Sequence, residues 1–288
     1  MAPAQIDHVV ILLPYNDLES PPSWLTDNFT ITPGGRHNDG RTENKLIVFQ
    51  DGTYLELVAF ANGSPSHRRG HPWGAKHYGF ADFALTSPGE FDYTGLRGRI
   101  NKHSGRLAID YAFPTEDGMK RAGDGKEVKW KVTVPVNQST AKPPPWSPPP
   151  NRRGEIPFWC HDVTERNLRV DMEGTTHPSG ALGIAQLTVL VPKAKVEGYI
   201  ELYSSIMDTQ PIRVLGTTRL PVDAPVAVPG LVKPWVFVEE PTLEAEKQMV
   251  TERGAGILEV ALRVGTDGRV GLARAPINVE GIWIHFLM

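Results

Sequence analysis

The chain has a single cysteine, Cys160, among 288 residues. No internal disulfide can staple the fold, and no thiolate cluster can hold zinc. Long apolar runs are also missing. The longest, such as Val9 to Leu13, have the length of a strand and fall far short of the ~20 residues that cross a bilayer. The N-terminus shows no basic segment leading into an apolar stretch, so no secretory signal is expected and the location reads as cytoplasmic. Neither sign of charge dominates: thirty Lys and Arg face thirty-three Asp and Glu, a net charge of −3. Phosphate backbones need a basic excess, which argues against nucleic acid as the main partner. The phosphate-loop spacing Gly-x-x-x-x-Gly-Lys-Ser/Thr is absent, as is a Gly-x-Ser-x-Gly elbow for a hydrolase nucleophile. What remains is a small-molecule substrate handled by a monomer or homodimer, without nucleic acid or membrane.

Turn formers are abundant, with twenty-eight glycines and twenty-six prolines. That composition excludes a helical bundle and favours many short strands. The strands repeat a pattern. Ile6-Asp7-His8-Val9-Val10-Ile11-Leu12 carries a polar side chain just ahead of an apolar run, and so do Phe80–Leu85, Ile184–Val189 and Ile257–Leu262. In this alignment His8, Asp82, Gln186 and Glu259 share one position. A second strand closes each unit: Tyr54-Leu55-Glu56-Leu57, Phe158-Trp159-Cys160, Trp235-Val236-Phe237 and Trp283-Ile284-His285. Aligned on the aromatic, Glu56 corresponds to Cys160, Phe237 and His285. Strand side chains alternate, so each aromatic and the residue two later lie on one face.

Helical spacing predicts helices over Ser20–Phe29, Phe91–Lys102 and Lys195–Met207 within the first three units. A connector helix over Thr242–Arg253 is predicted to stop at Gly254. Only 26 residues separate Glu259 from His285, so the fourth unit has lost its helix. The fold class is therefore α+β: about four βαβββ modules, the last degenerate, forming curved sheets around a cup. Two module pairs are expected, residues 1–172 and 173–288. A proline-rich loop at 141–154 sits in the first; it reads as a stiff polyproline connector or as a docking segment for an SH3-type partner.

The motifs Ile6-Asp7-His8-Val9-Val10, Thr32-Pro33-Gly34-Gly35-Arg36-His37, Thr42-Glu43-Asn44, Gly52-Thr53-Tyr54-Leu55-Glu56-Leu57 and His177-Pro178-Ser179-Gly180-Ala181-Leu182-Gly183 resemble the glyoxalase-like group of the vicinal oxygen chelate superfamily. The resemblance implies that opening and closing strands of paired modules hold one divalent metal, such as Zn, Mn, Fe or Ni, whose open positions bind two neighbouring substrate oxygens. It matches His8 and Glu56 to metal ligands, with Asp82 as a third. If the first unit pairs with the second, the cup holds His8, Glu56, Asp82 and Cys160. If it pairs with the fourth, the set is His8, Glu56, Glu259 and His285. Adjacent pairing needs shorter connections.

The segment from Gly34 to Arg41 reads either as a flap over the cup or as a hairpin loop with turn glycines. As a flap it would place Arg36 and His37 for catalysis and Arg41 on a substrate carboxylate. Tyr54, Trp73 and Phe158 are expected to line the cup. The expected activity is metal-assisted isomerase, lyase or dioxygenase chemistry on a small oxygenated metabolite; a metal-free protein that binds or sequesters such a molecule, with Trp235 joining the cup lining, is the alternative.

Overall fold

A computed structural model describes residues 3–103, 107–137, 153–214, 216–265, 275–279 and 281–288. The proline-rich run, apart from Arg153 and Gly154, lies outside the described residues. The first ten strands are β1 (Gln5–Leu12), β2 (Thr32–His37), β3 (Thr42–Val48), β4 (Tyr54–Phe60), β5 (Gly79–Thr86), β6 (Ile109–Tyr111), β7 (Thr115–Arg121), β8 (Glu127–Thr133), β9 (Pro135–Asn137) and β10 (Phe158–Asp162). Among them run α1 (Tyr15–Glu19), α2 (Ser23–Thr26), α3 (Pro65–Arg68) and α4 (Tyr93–His103). After β10 come α5 (Arg166–Arg169), β11 (Ala181–Leu190), α6 (Val196–Met207), β12 (Ile212–Val214), β13 (Thr217–Pro221), β14 (Trp235–Glu239), α7 (Glu244–Arg253), β15 (Gly256–Val264), β16 (Ile277–Val279) and β17 (Ile282–Leu287).

The result is an α+β fold with mixed sheets. Eight strands close a barrel in the order β1-β4-β3-β2-β7-β8-β10-β5, and seven form a second sheet in the order β12-β13-β14-β11-β15-β17-β16. One pairing scheme recurs. β1 runs parallel to β4, β5 to β10, β11 to β14 and β15 to β17. The central pairs β1–β5 and β11–β15 are antiparallel.

Helices α4, α6 and α7 fall where apolar spacing and the Gly254 stop put them. The helix expected over Ser20–Phe29 is instead two short ones, starting at Tyr15. Pro21-Pro22 separates them, because proline lacks the N–H that a continuous helix needs. Gly34 and Gly35, read above as flap or loop residues, belong to strand β2.

Alternation along β1 sorts its side chains. Ile6, Val9 and Ile11 join a core cluster that also contains Leu187, Val189, Tyr203 and Val236 from the second half of the chain. Val10 and Leu12 join a separate cluster with Phe60, Met119, Trp130 and Phe158. The barrel thus has an apolar interior layer of its own, while its outer face shares a core with the second sheet. Among the described residues no helix is long and apolar enough to cross a membrane.

Candidate functional site

A cavity of about 300 Å³ opens into the barrel. Its two walls differ. Strands β1 to β4 contribute His8, His37, Thr42, Asn44, Leu46, Tyr54 and Glu56, whereas β7, β8 and β10 contribute Asp117, Met119, Trp130, Val132, Phe158 and Cys160.

His8 is buried against Tyr54, whose ring stacks at 4.7 Å, and against the edge of Phe158 at 5.4 Å. Its Nδ1 lies 2.7 Å from Asp7 Oδ2, and its Nε2 lies 3.4 Å from Glu56 Oε2. The other Glu56 oxygen is 3.4 Å from His37 Nε2 and accepts a 2.6 Å hydrogen bond from Asn44 Nδ2. His37 Nδ1 in turn lies 2.7 Å from Thr42 Oγ1. One carboxylate therefore sits between two imidazoles, and each ring is oriented from behind.

The glycines of β2 make this arrangement possible. Gly35 N–H donates to Asn44 Oδ1 at 2.8 Å, which aims the amide nitrogen at Glu56. A Cβ on Gly34 would lie 2.0 Å from that same Oδ1, so the Asn44 side chain fits only because Gly34 has none.

Burial opposes charge on both partners, but the pairing prevails. Glu56 is held down at about 2, against the effect of burial, by the His37 hydrogen bond, by the charges of His8 and His37, and by Asn44. His37 rises above the usual imidazole value despite burial, through its hydrogen bond to Glu56 and the charges of Glu56, Asp117 and Asp39. The pair favours imidazolium and carboxylate. His71, also in the cavity wall, goes the other way: burial pushes it down to about 4, with Arg41, Arg153 and His37 adding to the effect.

Behind His8 lies a network that the sequence motifs did not indicate. Asp7 is fully buried. It accepts from Arg166 Nη1 at 2.6 Å and from Arg169 Nη1 at 2.8 Å, and both arginines also bind Asp162. Arg169 further donates to the Tyr54 hydroxyl, and Arg166 to the Gly52 carbonyl. Although burial favours the neutral acid, these cations hold Asp7 well below the usual carboxylate range. Arg166 and Arg169 occupy α5, one turn apart, so both guanidinium groups reach the same carboxylate.

The other expected site residues divide. Tyr54, Trp73, Phe158 and Arg41 line the cavity, although Arg41 already donates to the carbonyls of His67 and Arg69. Arg36 is outside the cavity lining, half exposed and paired with Glu43 at 2.5 Å, which corrects the expectation that it faces the substrate. His177 pins the segment before β11 by bonding Thr30 N–H and facing the Val48 carbonyl at 2.9 Å. His161 stacks on Phe91 and Trp159.

Asp82 does not join His8 and Glu56. It accepts from Trp73 Nε1 and Gly154 N–H at 2.9 Å and pairs with Arg153. The reason is register. His8 pairs with Tyr54 across β1–β4, and Ala84 pairs with Phe158 across β5–β10. With the aromatics matched, Ala84 falls at the place of His8, while Cys160 falls at that of Glu56. Asp82 pairs with Val10 and lies two residues before Ala84, so it takes the place of Ile6 and not that of His8. The other proposed partners, Glu259 and His285, lie 3.0 Å apart on the second sheet, with Gln186 and Thr188 donating to Glu259. They form their own group and do not complete the barrel site.

Two imidazoles and a carboxylate suit a divalent metal in kind. In arrangement they do not. The two rings approach different oxygens of Glu56, and the opposite wall offers Ala84 and Cys160, whose thiol burial pushes strongly up. Among the described residues no group of three or more His, Cys, Asp or Glu side chains is placed to hold a metal ion.

The recurring parallel pairs and the polar cup inside a curved sheet place this chain in the vicinal oxygen chelate superfamily, whose members often bind divalent metals. More specifically, residues 6–207 match the glyoxalase-like domain, and the chain belongs to that family. A hypothetical protein from Staphylococcus aureus is similar over 99% of both chains at 14% identity, with a TM-score of 0.67, which shows a shared fold. A mutant 4-hydroxymandelate synthase from Streptomyces coelicolor is 14% identical, covering 92% of this chain and 72% of that one, with a TM-score of 0.48. A halotolerant catechol dioxygenase is 9% identical over 99% of this chain and 87% of that one, with a TM-score of 0.46. Neither of these two scores supports an argument about chemistry. No curated protein matches the chain.

Proposed function

We propose that this four-module protein is a glyoxalase-like enzyme that moves a proton within a small oxygenated molecule held in the barrel cavity, giving isomerase or lyase chemistry. One observation carries the reading: His8 and His37 flank Glu56 in a buried cavity whose facing wall is largely apolar, with Met119, Trp130, Val132 and Phe158 beside Asp117. The oxygenated end of the molecule meets His8, His37 and Asn44, and its carbon end rests on Met119, Trp130 and Phe158. In its neutral form His8 takes, at Nε2, the proton from a carbon next to a carbonyl, and the electron pair of that C–H bond passes into an enolate. His37, kept protonated by Glu56, hydrogen-bonds the enolate oxygen. In an isomerisation of an α-hydroxy carbonyl, His37 gives its proton to the enolate oxygen and takes the one on the neighbouring hydroxyl, and His8 returns its proton to the former carbonyl carbon. In an elimination the enolate pair expels a leaving group instead.

The test is deuterium wash-in. Small hydroxy- and oxo-acids and α-hydroxy carbonyls are incubated with the protein in D2O and followed by proton NMR. Catalysed exchange at one carbon, lost in folded His8→Gln and Glu56→Gln proteins, supports the reading. Absence of exchange for every compound that binds overturns it in favour of sequestration. That second reading draws on the settled state of the cavity wall: Arg41 and Arg169 are already bonded to carbonyls and carboxylates, and Glu56, at about 2, is a weak base.

A further inference from the structure

Adjacent residues of a regular strand point to opposite faces, yet Asp7 and His8 touch. The register explains it. Ile6 pairs with Leu85 and His8 with Ala84, leaving Asp7 as an extra residue in a β-bulge. Without the bulge, Asp7 would turn away from His8 toward the face where Ile6 and Val9 meet the shared core. With it, the carboxylate lies behind the imidazole, at Nδ1, on the side away from Glu56.

The geometry assigns Asp7 as the positioning residue of His8: it keeps the proton on Nδ1, so that Nε2 is the nitrogen that exchanges with the cavity. Three observations converge on this role. Asp7 Oδ2 is 2.7 Å from Nδ1, a distance that a carboxylate keeps only with a protonated ring nitrogen. The carboxylate cannot rotate away, because Arg166 and Arg169 grip both oxygens and are themselves held by Asp162. The ring cannot rotate either, since Tyr54 stacks on one side and Phe158 meets it edge-on. α5 thus acts on a residue of β1 through one buried carboxylate. The assignment rests on the proposed role of His8 in the cavity, but its readout does not depend on any substrate.

The experiment is a long-range proton–nitrogen correlation spectrum of the full chain labelled with ¹⁵N-histidine, near neutral pH. His8 is identified among the nine histidines by the signals missing from His8→Gln. The expected result is a protonated Nδ1 on His8. A bare Nδ1 with the proton on Nε2 overturns the assignment, whatever the variants do. Asp7→Asn provides the second arm. Guanidinium groups only donate, so Arg166 and Arg169 claim the amide oxygen and turn the amide NH2 toward His8. Nδ1 must then accept, and the proton is expected to move to Nε2. A folded Asp7→Asn protein with unchanged His8 signals also overturns the assignment. If Asp7→Asn does not fold, the wild-type spectrum alone decides. If the deuterium screen finds no exchange while Nδ1 is protonated, the catalytic reading falls and the positioning of His8 stands.

Discussion

The barrel and the second sheet use the same strand register and arrive at different sites. His8 pairs with Tyr54 as Gln186 pairs with Trp235, and Val10 with Glu56 as Thr188 with Phe237. In the barrel, β2 joins β7 and the sheet closes, so Glu56 and His8 are almost fully buried. In the second sheet β12 and β16 stay apart as edges among the described residues, and His285 and Glu259 remain 39% and 22% exposed. Phe237 also stands where Glu56 would be. Closure as well as residue type separates the two, because water screens an exposed imidazole–carboxylate pair and leaves a buried one at full strength.

Substitutions that contrast the two halves should differ most at the buried ion network. Arg169→Leu leaves Asp7 with only part of its compensation and is expected to cost about 3–5 kcal/mol, read from the denaturant midpoint. Any loss under about 1 kcal/mol would show that burial does not magnify this network. Next comes the site itself. Glu56→Gln should slow deuterium exchange by about 100-fold or more, while Glu259→Gln changes it by less than about twofold. Equal effects would mean that the second sheet shares the chemistry. Gly34→Ala forces a methyl against the Asn44 side chain and should destabilise the barrel by about 1–3 kcal/mol.

The pH profile gives a smaller effect with a definite sign. His37 is raised, so its share of stability is complete below the unfolded value of roughly 6.5 and fades as pH climbs through the folded value. Glu56 is depressed, so its share is present above roughly 4.3 and disappears as pH falls toward about 2. The stability gap between wild type and Glu56→Gln should therefore be widest between those limits and narrow above neutrality. A gap that keeps widening in alkali would contradict the ion pair. The smallest effect is expected at the exposed Arg213–Glu197 pair of the second half, where Arg213→Ala should change stability by less than about 0.5 kcal/mol.

Much of this was legible in the residues themselves. The opening and closing strands showed through alternation, and α6 through the spacing of Val196, Tyr199, Ile200 and Tyr203. β1 and β5 lie side by side and antiparallel. What escaped depends on register. A bulge has no composition of its own, so the contact of Asp7 with His8 has no signal along the strand, and Asp82 was aligned with His8 although the backbone aligns Ala84 there. Asn44 belonged to a quoted motif, but its part in holding Glu56 became visible only with Gly34 and Gly35 beside it. Arg166 and Arg169 had a weak signal, two like charges three apart behind an aspartate, which ordinary surface helices also show.

The shared core has a consequence for how this protein can be cut or recombined. Phe83 of the barrel stacks on Tyr203, Ile6 N–H donates to the Asp223 carbonyl, and Asp51 N–H to that of Leu182. A truncated gene ending near residue 172 would leave Ile6, Val9, Ile11 and Phe83 facing water across a broad greasy plate. Such a fragment should be captured by chaperones or precipitate, even though every residue named in the barrel cup is encoded within it. Heredity can tinker with the two halves separately only as long as it delivers them on one polypeptide.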